Sequence, residues 1–264
     1  MCKRTFSRLA LGFVVFALSV PLAKAEDRAE QILRASHDCV AAHSVQIEQT
    51  IEQSSEVLID GKPAGSSSTT KQTSLIEIDA GKMLVRMTTK DQSGKDVIVI
   101  RKSGRSAMKI GSGPWTLPSG PYAQMGDQLA NPFACPLPKS GEEHSPRWTI
   151  VGPELLDGIE TTVIETIGDT ANRYAQERMR EGLVTVFPDP ASRPTVEVLA
   201  YKSRHWISTG DLRRLRVEQI SHQKMIMPGI AKAVIDASAK TIATYRNYDQ
   251  VQIDVPEEAR RILE

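Results

Sequence analysis

The chain has 264 residues, of which 40% are apolar and 25% charged, and its formal net charge is +1. These values are typical of a globular protein, and they exclude a disordered tail protein, a collagen-like repeat and a small disulfide-stapled toxin. The length suits one large domain or two small ones. Because there is no basic excess, nucleic acid is not expected as a partner.

The first 25 residues differ from the rest of the chain. A basic start is followed by an uncharged apolar run, a proline and a small-x-small triplet: Lys3, Arg4 and Arg8, then 9–20, Pro21 and Ala23-Lys24-Ala25. This order is typical of a cleaved secretory signal, and the apolar run is shorter than the ~20 residues that span a bilayer. We predict a signal peptide over 1–25 and a single mature domain over 26–264. An uncleaved membrane anchor is the alternative.

Export would change both the charge and the cysteine chemistry of the chain. Cleavage would leave 29 of the 33 basic residues and all 32 acidic ones, a net charge of −3. Cys39 and Cys135 would remain in an oxidising compartment, so we predict a disulfide between them, with two buried thiols as the alternative. Cys2 precedes the apolar run and no cysteine follows it at the cleavage point, so the protein is not expected to be a lipoprotein itself.

The first half of the mature chain changes from helical spacing to strict alternation. Apolar residues recur at helical spacing over 27–43, which predicts a helix. From Val45 onwards, apolar residues alternate with polar and acidic ones, which predicts strands with one apolar face. Short polar turns separate five such strands and indicate an antiparallel meander: 45–59, 69–79, 83–88, 97–101 and 106–110.

The second half begins with an irregular segment over 111–147 that contains seven prolines. A short helix is predicted within it at 122–129, and a loop of this length is usually functional or mobile. Strands and helices then resume: strands 148–151 and 159–167, a charged helix 170–181, strands 195–200, 204–208, 213–220 and 232–245, an extended segment 251–255 and an amphipathic tail 257–263. One α+β domain is the simplest account.

Catalytic and metal-binding motifs are weak in this chain. The two S-x-x-K matches, at Ser68 and Ser221, are what chance gives. Cys39 and His43 are spaced to approach one metal ion, but further ligands are lacking, so neither a metal nor a cofactor is expected. The basic run 213–216 either forms the solvated face of a strand, which is the commoner case, or meets an anionic headgroup.

The order of several short elements resembles the LolA-like superfamily of exported lipoprotein and lipid carriers. The chain begins with a signal, one helix and long antiparallel strands. Four elements follow in order: Gly113-Pro114-Trp115-Thr116, the hairpin 152–158, a strand with Trp206-Ile207 and Leu212-Arg213, and a final strand from Tyr245 to Pro256. Each element alone is degenerate, and it is their order over nearly the whole mature chain that resembles the family.

The resemblance implies an α+β fold in which a strongly curved antiparallel sheet forms an open half-barrel. An N-terminal helix and a helical or loop lid would cover its apolar concave face. It further implies a non-enzymatic carrier of the acyl chains of lipids or lipoproteins, with an RseB-like regulator of a membrane-bound protein partner as the alternative. The cavity would be lined by aliphatic and methionine side chains, for which the candidates are Val45, Ile47, Ile51, Met83, Val85 and Met87.

Overall fold

A computed structural model of the protein describes residues 25–91, 93–119, 146–166, 168–229 and 233–264. Eleven strands in these ranges form one antiparallel sheet, accompanied by three helices. In chain order the elements are α1 (Ala25–Ala42), β1 (Val45–Ile59), β2 (Lys62–Pro63), β3 (Ser68–Asp79), β4 (Leu84–Lys90), β5 (Asp96–Lys102), β6 (Arg105–Ile110), β7 (Trp148–Leu156), β8 (Ile159–Thr166), α2 (Gly168–Val186), β9 (Thr195–Ser208), β10 (Arg214–Ile226), β11 (Ala233–Arg246) and α3 (Glu257–Leu263).

The sheet consists of two meanders joined along their longest strands. The strand order is β6-β5-β4-β3-β1-β11-β10-β9-β8-β7, with the short β2 beside β1. Each meander follows the chain, because short turns favour antiparallel neighbours. Strands β6 and β7 are the two ends of this order and do not pair with each other, so the sheet stays open. The predicted α+β class and open antiparallel half-barrel are confirmed.

Several predicted boundaries differ from the structure. Strand β9 is continuous, whereas the sequence predicted two strands at 195–200 and 204–208, and residues 251–255 are not a strand. The charged helix is longer than predicted and runs from Gly168 to Val186. The signal peptide, the helix at 122–129 and Cys135 lie outside the described residues, so these remain predictions.

The register between β1 and β11 defines two faces of the sheet. Ile47 pairs with Tyr245, Gln49 with Ala243, and so on to Ile59 with Ala233. Because side chains alternate along a strand, odd positions of both strands share one face. We call this face concave; it carries one buried cluster that joins both meanders: Val45, Ile47, Ile76, Ile78, Met87, Val97, Val99, Met108, Val217, Ala243 and Tyr245.

Helix α1 lies across the concave face and contacts it at two apolar places. Near its N-terminus, Ala29 and Leu33 pack with Trp148, Ile164 and Ile207 of the second meander. Near its C-terminus, Val40 joins the cluster built mainly by the first meander. The helix therefore bridges the two halves of the sheet.

The other two helices cover opposite faces. Ala175 of α2 packs on Val196 and Val198 of β9, which a bulge in β9 places on the concave face. In contrast, Ala259 and Leu263 of α3 pack on the convex face of β4, β5 and β6. Two helices, α1 and α2, thus lie over the concave face at different places.

Between its two apolar contacts, α1 covers polar side chains. Ser36 on the helix is fully buried, and so are Ser203 and His205 on β9, while Arg214 on β10 is 4% exposed. We call these four residues, together with His37, the polar layer. Within it, His205 Nε2 lies 2.9 Å from Ser203 Oγ, and the His205 ring meets Trp148 edge to face at 5.2 Å.

Replacing Leu33 with alanine tests whether α1 is packed onto the sheet. Leu33 is fully buried among apolar side chains, so Leu33→Ala is expected to lower the free energy of unfolding by about 2–5 kcal/mol. The exposed Arg28 on the same helix is the control. Arg28→Ala should change the free energy of unfolding by less than about 0.5 kcal/mol. Urea unfolding followed by circular dichroism measures both. Equal effects of the two substitutions would contradict the packing.

The buried His205 predicts a stability that falls in mild acid. Burial and the nearby positive charge of Arg214 lower the pKa of His205 well below its usual value of 6.5. The unfolded chain therefore binds a proton below about pH 6.5 that the folded chain does not, and stability falls by up to about 1.4 kcal/mol per pH unit.

Unfolding in urea at pH 5.5 and pH 7.5 measures this effect. We expect the wild-type protein to have a lower free energy of unfolding at pH 5.5 than at pH 7.5. His205→Gln is expected to show a smaller difference between the two pH values. Arg28→Ala is the control: it removes no group that titrates between these pH values and should keep the wild-type difference. A His205→Gln protein with the full wild-type difference would show that His205 is not its source.

Candidate functional site

The concave face of the four central strands carries no charged side chain apart from Arg214 at the start of β10. All the positions concerned are among the described residues. The register places on this face the even positions 68–78 of β3, the odd positions 45–59 of β1, the odd positions 233–245 of β11 and the odd positions 217–225 of β10. Glutamine, serine, threonine, alanine and aliphatic residues occupy them, together with one methionine and one tyrosine. A face of this kind can bury an uncharged ligand without stranding a charge.

The convex face of the same strands holds the charges. Lys71 Nζ lies 2.8 Å from Glu52 Oε1, and Lys240 Nζ lies 2.9 Å from Glu218 Oε1. His222 Nε2 lies 2.6 Å from Asp236 Oδ1. These pairs cross neighbouring strands, as opposite charges do on the solvated face of a sheet. The alternation in the sequence thus separates a charged face from an uncharged one.

The concave face has a partly uncovered middle between α1 and α2. Ile51, Thr241 and Gln219 are neighbours across β1, β11 and β10, and all three are half-buried. Further along the strands, Val57, Ile235 and Met225 form an apolar row, in which Val57 is exposed and Met225 packs against the α2 cluster. We call these two rows and the residues between them the floor.

The six predicted lining residues do not lie together. Val45, Ile47 and Met87 are buried in the concave cluster and Val85 packs against it, so all four belong to the packed core. Ile51 lies on the floor. Met83 lies instead in the turn before β4, where it is 73% exposed with φ +53°. The spacing suggests that Met83 and Met87 share a strand face. They do not, because a 3-10 turn over Ala80–Lys82 ends at Met83.

Among the described residues, several buried atoms of the polar layer have no hydrogen-bond partner. Ser36 Oγ, His205 Nδ1 and Arg214 Nε are shielded from solvent and unsatisfied. Burial, with a further contribution from Arg214, lowers the pKa of His37. Sequence reasoning did not locate this layer: it favoured a solvated strand face for the run 213–216, with contact to an anionic headgroup as the alternative.

A charged network fixes the C-terminal end of α1. Asp249 Oδ1 lies 2.6 Å from His43 Nδ1, Asp249 Oδ2 lies 3.1 Å from a guanidinium nitrogen of Arg213, and the Asp249 amide donates to the Ser44 carbonyl at 2.8 Å. Burial raises the pKa of the Cys39 thiol, which lies half-buried on this part of the helix. Its predicted partner Cys135 is outside the described residues, so the disulfide remains a prediction.

A pocket of about 450 Å³ lies beside this network at one end of the sheet. Its wall mixes apolar and charged residues from the turns after β7 and β9 and from the end of β11: Leu156, Asp157, Ile159, Asp211, Arg213, Tyr245 and Arg246 among them. None of the six predicted lining residues borders it. The carboxylates and guanidinium groups in its wall make it a poor place for an acyl chain.

Within the described residues, no group of three or more histidine, cysteine, aspartate or glutamate side chains is arranged to hold a metal ion. In the same part of the chain, no helix has both the length and the apolarity needed to cross a membrane.

Comparison with known proteins gives matches among solved structures. No protein-family model and no curated protein sequence matches the chain. The lipoprotein LppX of Mycobacterium tuberculosis is 13% identical, with 87% of this chain and 100% of that one covered and a TM-score of 0.44. LprF of Mycobacterium bovis is 11% identical, with 90% and 100% covered and a TM-score of 0.43.

A third solved structure is an outer membrane lipoprotein-sorting protein domain from Vibrio parahaemolyticus. It is 11% identical, with 90% of this chain and 99% of that one covered and a TM-score of 0.28.

Proposed function

We propose that the protein is a periplasmic, non-enzymatic carrier that binds the acyl chain of a lipid or lipoprotein between the concave face and its covering helices. The chain would be exported by its signal peptide and would begin at Glu26. The ligand would lie on the floor, with Ile51 beneath it, and extend toward the concave cluster when α1 shifts. Val45, Ile47, Val85 and Met87 would line the deeper part.

The observation that carries this proposal is the uncharged concave face of the central strands. A solvated sheet face normally collects charged residues, as the convex face does here. The concave face carries none in the four central strands except Arg214, although its middle is only half-covered. A surface that is kept free of charge and reached from outside is suited to an apolar ligand.

The energetics of an acyl chain are sufficient for binding without covalent chemistry. Each methylene group removed from water contributes about 0.8 kcal/mol. A chain of about 14 carbons therefore gains on the order of 10 kcal/mol before the costs of ordering it are subtracted. That surplus permits affinities in the micromolar range or tighter.

Helix α1 is the element that would admit and release the ligand. Its two apolar contacts hold it on the sheet, whereas the polar layer between them contains unsatisfied atoms that weaken the closed arrangement. A ligand that binds better when α1 is displaced shifts the population toward that state. Transfer to an acceptor would reverse the shift.

Lipid binding by the purified protein tests the proposal. Protein isolated from the periplasm without detergent is expected to carry acyl lipid in its organic extract, as read by mass spectrometry. After delipidation it should bind a fluorescent 16-carbon fatty acid with micromolar or better affinity. Clean extracts together with no probe binding would contradict the carrier function. Stoichiometric co-purification of a membrane protein in their place would favour the regulator alternative.

A pair of neighbouring substitutions on β1 tests the face. Ile51→Glu places a carboxylate on the floor, where an apolar ligand would strand it, so probe affinity is expected to fall at least about tenfold. Thr50→Glu places the same charge on the convex face and should leave the affinity within about twofold. Equal loss in both variants would argue against binding on the concave face.

A further inference from the structure

Arg214 is buried on a face that is otherwise free of charge. It is 4% exposed, whereas its neighbours Arg213 and Arg216 are both partly accessible. A β-bulge is responsible: Arg214 pairs with Ile207 and Arg216 with the adjacent Trp206, so that Leu215 is the extra residue. Without the bulge, Arg214 and Arg216 would share a face, since they are two residues apart. The bulge therefore places Arg214 on the concave face beneath α1 and leaves Arg216 on the convex face.

Arg216 shows what the same side chain does on the convex face. Its guanidinium stacks over Trp206 at 5.2 Å and lies 3.3 Å from Glu218 Oε2. Arg204 stacks over the same ring at 4.9 Å and forms an ion pair with Glu154. These convex arginines have carboxylate partners.

Arg214 differs from the convex arginines. Within the described ranges, no carboxylate lies at ion-pairing distance from its guanidinium, and Nε has no hydrogen-bond acceptor. The guanidinium carbon of Arg214 lies 5.9 Å from the centre of the Tyr245 ring. A buried cation without a counter-charge is strongly unfavourable, because the desolvation of the charge is not offset.

Among the described residues, those around Arg214 offer it hydrogen-bonding groups but no carboxylate at ion-pairing distance. Burial, and after it the positive charge of Arg214, lowers the pKa of His205 on β9 and of His37 on α1. His205 Nε2 is engaged by the Ser203 hydroxyl, so Nδ1 is available for a further bond and has no partner. Ser36 Oγ on the covering helix is likewise buried and unsatisfied.

We propose that the polar layer binds the anionic group, a carboxylate or a phosphate, of an acyl ligand whose hydrocarbon chain lies on the concave face. Arg214 supplies the counter-charge, and the Ser36 hydroxyl and the His205 ring supply further hydrogen bonds. The inference rests on the proposed carrier function and adds the chemical class of the ligand. A charge-assisted hydrogen bond to a buried arginine would make the site prefer a ligand with an anionic head group over one with a neutral head group.

Calorimetric titration of the full mature protein with two lipids of equal chain length tests this. Palmitate carries an anionic head, and glyceryl monopalmitate carries a neutral one. At pH 7.5 we expect wild type to bind palmitate at least about tenfold more tightly than glyceryl monopalmitate. Arg214→Met should bind the two within about twofold of each other. Arg216→Met removes the same charge from the opposite face and should keep the wild-type preference.

A second readout does not depend on the lipid. Because Arg214→Met removes an uncompensated buried charge and keeps an apolar chain of similar length, the lipid-free variant is expected to melt at a higher temperature than wild type. Arg216→Met loses an ion pair and a stacking contact and should not melt higher. A lower melting temperature for Arg214→Met would show that the charge is compensated in the folded chain, and would overturn the inference.

The remaining outcomes separate this inference from the carrier function. If wild type binds both lipids equally, the anion site is wrong and the carrier function stands. If neither lipid binds, both are wrong. If inorganic phosphate alone binds wild type as tightly as palmitate does, and Arg214→Met abolishes that binding, the site takes a free anion and the lipid-borne anion is ruled out.

Discussion

The antiparallel pairing of β1 with β11 is the interaction on which the rest of the structure depends. It runs from Gln46 and Arg246 to Ile59 and Ala233 without a register shift. It therefore joins two meanders from distant parts of the chain into one surface. Since a shift of one residue would exchange the faces of one strand, the unbroken register keeps the uncharged positions of both meanders on the same side. Both α1 and the proposed ligand need that continuity.

Helix α1 makes use of this joined surface in an uneven way. Leu33 is held by the second meander and Val40 by the cluster of the first, while Ser36 between them is buried without a partner. A helix that served only to close the core would be expected to carry an apolar residue there. The arrangement places strong contacts at the two ends and unsatisfied polar groups between them, which suits a cover over a site that changes its contents.

Most of the fold could be predicted from the sequence, because period-two alternation and short turns are local signals. They located β1, β3 and β5 to within one residue at nearly every end. The uncharged concave face follows from the same alternation. Arg214 could not be placed in this way, since a bulge reverses the face of all later residues without any change in composition. Met83 was misplaced for a related reason: a 3-10 turn shortens the strand that its spacing suggested.

The central claim, that an acyl chain lies under α1 on the concave face, is tested most directly with the three tryptophans. Trp148 lies beneath α1, Trp206 on the convex face, and Trp115 in the cluster with α3. Variants that keep one tryptophan each, with phenylalanine at the other two positions, would be titrated with palmitate brominated next to its carboxylate. Bromine quenches fluorescence on contact, and the polar layer would hold this end of the ligand beside His205, whose ring meets Trp148. The account predicts quenching of Trp148 and none of Trp206 or Trp115. Quenching of Trp206 or Trp115, or binding that leaves Trp148 unquenched, would contradict it.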